Sequence, residues 1–125
     1  MPFFHLLIDS YEAFEEFLAA HIQNGKLAFD GVFCVTDSLA YFIIKVLRRL
    51  GQRVPEDVQV IGFDGIRQLG VQDYVCSTIV QPVAEIAEMC VELLLQESLQ
   101  VKPPLVCLPV AYAYGGTTAE GPERR

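Results

Sequence analysis

Three carboxylates sit where apolar, strand-like runs stop: Ile8-Asp9, Val35-Thr36-Asp37 and Phe63-Asp64. If those runs are parallel neighbours, all three acids meet at one edge of a sheet, the edge where open α/β sheets bind their ligands. Each acid also has a plainer use. Asp9 and Asp37 precede helical patterns, and an acid in that place caps the helix and suits its dipole. Asp64 is followed by Gly65 and by no strongly periodic helix, so a turn is the alternative there.

The chemistry open to such an edge is narrow. Nucleophilic catalysis wants a Ser or Cys beside a positioned His, yet the two histidines are His5, near the start, and His21, on an apolar helical stripe. There is no GxSxG, P-loop or GxGxxG, and Gly115-Gly116 leads into no helix. A phosphoacceptor role for Asp37, as in a flavodoxin-like signalling domain, needs a paired acid at the first strand and a lysine at a later strand end. The late strands supply no such lysine. What remains is a hydroxyl acceptor, because an ionised carboxylate takes up to about four hydrogen bonds and so suits a polyol such as a sugar. The chain therefore reads as a binding module and not an enzyme, with no catalytic residue, metal ligand or cofactor expected.

The elements that must position these acids alternate between strand and helix. Phe4 to Ile8 reads as a strand, followed by a helix whose Phe14, Phe17, Leu18, His21 and Ile22 form one stripe that stops near Asn24-Gly25. Gly31 to Val35 is a continuous apolar run, as expected of a strand covered on both faces. A helix then runs from Thr36-Asp37-Ser38 to Gly51, and further strands are expected at Val58 to Phe63 and Ser77 to Val80. Pro82 opens a long helix with Val83, Ile86, Ala87, Cys90 and Leu94 as its buried stripe and Glu85, Glu88 and Glu92 on the solvated face. Pro103-Pro104 precedes a last strand around Leu105 to Tyr112, and GTTAEGPERR reads as a polar, frayed end. Alternation through short loops predicts an α/β fold with a parallel sheet and right-handed crossovers.

The 125 residues, 52% of them hydrophobic, suffice for one domain with a real core. Sixteen acids against nine Lys plus Arg leave a net charge of -7, which offers a polyanion no footprint, so no DNA contact is expected from this chain itself. No apolar run approaches the roughly 20 residues that span a bilayer, and the start lacks the charged segment and cleavage site of a signal peptide. A cytoplasmic protein without membrane contact is the expectation. Cys34, Cys76, Cys90 and Cys107 are widely spaced, with no CxxC pair, and read as buried, reduced thiols.

Four stretches in succession, GVFCVTDSLA, LRRLGQRVPEDVQVIGFDG, STIVQPVAEIAEMCVELLL and CLPV, resemble the C-terminal part of LacI/GalR-type bacterial transcription regulators. The resemblance runs from about Phe4 to Thr118. It implies a three-layer α/β, periplasmic-binding-protein-like lobe over residues 1–80, with 81–118 as a crossover helix and strand of the first lobe and 119–125 as a flexible tail. It also implies that the DNA-binding head and most of the first lobe lie outside this sequence. Asp64 matches the effector-contacting acid of the family's "GFD", and Asp37 the acid of "ND". Thr36 stands where an effector-contacting Asn is common, and Gln81 of "QP" faces the cleft at a crossover. Gly65 replaces a frequent second Asp or Asn, and Phe42 a usual small residue. A dimer contact is implied near Tyr41 and Phe42. The implied partners are a sugar or sugar phosphate and a second copy of the chain.

Overall fold

The computed structural model describes residues 10–66, 75–96 and 105–120. The expected strand at Phe4 to Ile8, with His5 and Asp9, lies outside them.

Helix α1 (Tyr11–Ala20) starts where Ser10 accepts a hydrogen bond from the Ala13 amide at 3.3 Å. Its stripe of Phe14, Phe17 and Leu18 joins the core beside α2. Beyond it, Asn24-Gly25 does more than end a helix. Ile22–Gln23 (β1) and Lys26–Leu27 (β2) pair antiparallel around it, with φ of 52° at Asn24 and 75° at Gly25. Two successive positive φ angles are what a two-residue Asn-Gly hairpin turn requires.

The main sheet comprises β3 (Gly31–Phe33), β4 (Gln59–Asp64), β5 (Ser77–Val80) and β6 (Ala111–Ala113), in the order β3-β4-β5-β6. The first three strands are parallel, with Val32 opposite Val60 and Ile61 opposite Ser77, and β6 runs antiparallel to β5. Helix α2 (Asp37–Arg49) is the crossover from β3 to β4 and packs on β4. Thr36 caps it by accepting from the Leu39 amide, and Arg48 and Arg49 complement the dipole in its last turn. Ala40, Ile43, Ile44 and Leu47 on this helix are buried together with Val58 and Val60. Burying each large side chain there contributes about 1.5–3 kcal/mol.

Helix α3 (Val83–Leu95) departs from expectation. None of its residues is buried, and Leu94, placed on the expected buried stripe, is 84% exposed. The apolar periodicity is real, but among the described residues nothing covers the face it defines.

The chain's last described segment departs in the opposite sense. Residues 105–110 form no strand, and β6 begins only at Ala111. Residues 117–119 of the expected frayed end are instead stitched into the sheet, and 121–125 lie outside the described residues. The Thr117 hydroxyl donates to the Val60 carbonyl at 2.7 Å and accepts from the Ser77 amide at 2.8 Å, while the Thr117 carbonyl accepts from the Val60 amide. The Ala119 amide adds a hydrogen bond to Gln59 Oε1. Residues 111–119 thus hydrogen-bond into the sheet formed by β3, β4 and β5. The strand-end donors and acceptors of β4 and β5 need partners, and this segment supplies them.

Candidate binding edge

Parallel β3, β4 and β5 bring three chain exits to one side of the sheet: Thr36-Asp37 after β3, Asp64 at the end of β4, and Gln81 after β5. Asp64 and Gln81 meet, with Gln81 Nε2 donating to Asp64 Oδ1 at 2.7 Å, and both residues are half-buried. Among the described residues, Asp64 Oδ2 accepts no hydrogen bond. The pair therefore presents a carboxylate oxygen and an amide oxygen in a partly desolvated place, an arrangement that accepts hydroxyl donors.

The backbone at Asp64 is unusual. Its φ is 117°, and Gly65 follows at 83°. A non-glycine residue held in sparsely populated φ space costs about 1–3 kcal/mol and persists only where its surroundings enforce it. The next position has to be glycine, since a Cβ on Gly65 would lie 2.9 Å from Val80 Cγ1.

Thr36 lies at the same edge, half-buried, with its oxygen engaged as the α2 cap. Asp37 does not share the exposed side of the edge. It is 1% exposed, accepts from the Thr78 hydroxyl at 2.5 Å through Oδ1, and accepts from the Ile66 amide at 2.6 Å through Oδ2. A group so enclosed offers no oxygen to solvent, and a phosphoacceptor has to present one. Sequence reasoning missed two members of this cluster, Thr78 and Gly62. The signal for Thr78 was the polar pair Ser77-Thr78 opening a buried strand. Gly62 is required because a Cβ there would run into Asp37.

Tyr41 and Phe42, implied at a dimer contact, are occupied within the chain. Tyr41 is 3% exposed and its hydroxyl accepts from the Cys76 amide at 3.0 Å. Phe42 packs against the Tyr11 ring with centroids 4.6 Å apart. Below the edge, burial pushes the Cys34 thiol up to about 12, with smaller contributions from Cys76 and Asp37, and burial likewise raises Cys76. Cys90 and Cys107, expected to be buried like the other two, are instead exposed. At the opposite end of the sheet, a shallow groove of about 550 Å³ lies between the β1–β2 hairpin and residues such as Gln52 and Glu56. None of its lining residues is Thr36, Asp64 or Gln81.

A mostly parallel sheet with its crossover helix and a strand-end edge of hydrogen-bond acceptors has the layout of an α/β small-molecule binding fold. Residues 8–118 match the periplasmic binding protein-like domain, and the chain belongs to that family, in the form carried by LacI-type transcription regulators. The chain is 37% identical over 68 residues to the sucrose operon repressor of Pediococcus pentosaceus, covering 54% of this chain and 21% of that protein. It is 37% identical over 95 residues to the ribose operon repressor of Bacillus subtilis (strain 168), covering 73% and 28%. The crystal structure of a LacI family transcriptional regulator from Enterococcus faecium with bound ribose superposes with a TM-score of 0.67 at 27% identity, over 89% of this chain and 41% of that one. The match thus falls on the effector-binding part of such regulators, and this chain spans well under half the length of each. Among the described residues no helix is long and apolar enough to cross a membrane.

Proposed function

We propose that the edge bearing Asp64, Gln81 and Thr36 is one wall of an effector site for a small polyol of the sugar class, within a transcription regulator. The observation that carries this reading is the Asp64–Gln81 pair, half-buried at the carboxyl end of the sheet with acceptor capacity left over. The ribose bound to the Enterococcus faecium regulator, and the sugar operons for which the related repressors are named, support the same ligand class. Binding is noncovalent, and its consequence is allosteric: an effector that prefers one lobe arrangement shifts that population and with it the affinity for an operator. Operator contact resides outside this chain, in keeping with its net charge of -7.

Helix α3 is read as part of the opposing wall, since its apolar stripe lies uncovered. In the isolated chain that surface drives self-association, in place of the Tyr41 contact. A dimer by light scattering at tens of micromolar supports this, and a monomer contradicts it.

One wall alone makes few of the contacts an enclosed ligand enjoys. The isolated chain binds at millimolar or weaker, equivalent to about 4 kcal/mol. A thermal-shift screen with ribose, glucose, sucrose, lactose and their phosphates tests the assignment. A saturable shift that disappears in Asp64→Asn supports it, and an equal response of both proteins refutes it.

A further inference from the structure

Asp37 is a carboxylate buried to within 1% of completeness, yet it touches no open surface. Its two oxygens reach two different structural units: Oδ1 takes the Thr78 hydroxyl of β5 at 2.5 Å, and Oδ2 takes the Ile66 amide at 2.6 Å. Ile66 is two residues past Asp64, on the far side of Gly65, so the bond fixes the exit of the turn in which Asp64 holds its φ of 117°. The entrance is fixed by the β4 ladder, where Asp64 pairs with Val80. Gly62, directly before Phe63-Asp64 in the chain, has no side chain, and that leaves room for the Asp37 carboxylate. Asp37 itself is held by its position in the first turn of α2, behind the Thr36 cap.

We infer that Asp37 is a positioning residue, which clamps the Gly65-Ile66 turn to β5 and so keeps the Asp64 carboxylate in the strained orientation that faces Gln81. This rests on the reading of Asp64 as the effector contact, but the clamp itself can be observed without any ligand. A charged acceptor makes stronger hydrogen bonds to N–H and O–H donors than a neutral one, and strain of this kind survives only where the surroundings over-determine it. Without the clamp, Asp64 relaxes toward extended backbone and its carboxylate leaves Gln81.

The chemistry also says which substitution is tolerated. In Asp37→Asn the side-chain oxygen can still accept from the Ile66 amide, and the new NH2 group can donate to the Thr78 oxygen, whose own hydrogen turns toward the Ile79 carbonyl, 3.4 Å away. In Asp37→Ala both donors lose their acceptor.

The test is NMR on the isotope-labelled full chain. The three-bond coupling between the amide and Hα protons of Asp64 is small at its present φ and large in extended backbone. Amide exchange at Ile66, referred to the Val60 amide that bonds Thr117, reports the clamp itself. Asp37→Ala is expected to raise the Asp64 coupling and to accelerate Ile66 exchange at least tenfold relative to Val60, with Asp37→Asn restoring both. Should Asp37→Ala fail to fold, Thr78→Val, which removes one of the two donors, is expected to shift both readouts in the same direction. An Asp64 coupling and Ile66 exchange unchanged in the folded variant, or an Asp37→Asn protein no better than the alanine, overturns the inference. Absence of sugar binding by the unmutated chain would sink the effector reading and leave these readouts untouched.

Discussion

Gly62→Ala is the sharpest single perturbation of the cluster under the binding edge. A Cβ on residue 62 would fall inside van der Waals contact of Asp37 Oδ1 and lie 3.2 Å from both Asp37 Cα and Cγ. The carboxylate cannot simply swing aside, because Thr78 and the Ile66 amide hold its two oxygens. Overpacking of this kind costs about 1–3 kcal/mol, and weakening one hydrogen bond to a charged acceptor adds about 1.5–3 kcal/mol. Against that, an alanine restricts the unfolded chain and returns about 0.4–1 kcal/mol. The net expectation is a loss of about 3 kcal/mol, a large share of the ~5–15 kcal/mol typical of a domain. Urea unfolding followed by far-UV circular dichroism should show a lower midpoint with an unchanged slope. Because most of the cost is routed through the Asp37 carboxylate, repeating the substitution in Asp37→Ala, which keeps only the 3.2 Å approach to the residue-37 Cα, should cost well under half as much, a coupling expected only of residues in contact. A Gly62→Ala protein within ~0.5 kcal/mol of the parent, or one equally destabilised with and without Asp37, refutes the reasoning.

Tyr41→Phe leaves the buried Cys76 amide without the acceptor it has now and should cost about 1–3 kcal/mol by the same urea assay. Thr117→Val removes the partner of both the Val60 carbonyl and the Ser77 amide; the expected loss is at least as large, visible also as faster amide exchange at Ser77. A thiol reagent at neutral pH should modify exposed Cys90 and Cys107 at once, and buried Cys34 and Cys76 only as the chain unfolds. The Cys34 thiol is raised from 9.0 to about 12 in the folded chain, so its contribution to stability is complete below pH 9 and is lost as pH climbs from there toward 12. Urea midpoints should accordingly fall over that alkaline window, and less steeply in Cys34→Ala.

The alternation of strand and helix was legible because three of the elements carry strong local signals. Thr36-Asp37-Ser38 starts a helix by capping, the Val58 to Phe63 run is long and apolar, and Pro82 opens α3. The approach of Asp37 and Asp64 to one edge followed from parallel pairing alone, whereas Thr36 and Gln81 were added only by the family resemblance. What separated Asp37 from Asp64 was not legible. Both end apolar runs, and only the three-dimensional positions of Thr78, Gly62 and the Ile66 amide decide that one carboxylate is enclosed and the other is not. Tyr41 was misleading for a related reason, since an apolar helix surface does not say whether its cover comes from the same chain. Thr117 was lost in a polar tail whose composition suggested fraying, although a single hydroxyl there serves two strands. The Asn24-Gly25 hairpin, in contrast, was available from sequence and was masked by reading the dipeptide only as a helix stop.

Mapping ribose onto the chain by amide chemical-shift titration, in the parent and in Asp64→Asn, tests the central claim most directly. Asparagine keeps the shape of the side chain, accepts the Gln81 donor through its oxygen, and tolerates positive φ about as well as aspartate, so the fold should persist while one acceptor oxygen is lost. Millimolar, saturable shifts centred on Asp64, Gly65 and Gln81 are expected, and they vanish in Asp64→Asn. Shifts centred instead on the groove beside Gln52 and Glu56, or shifts around Asp64 that survive the substitution, would contradict it.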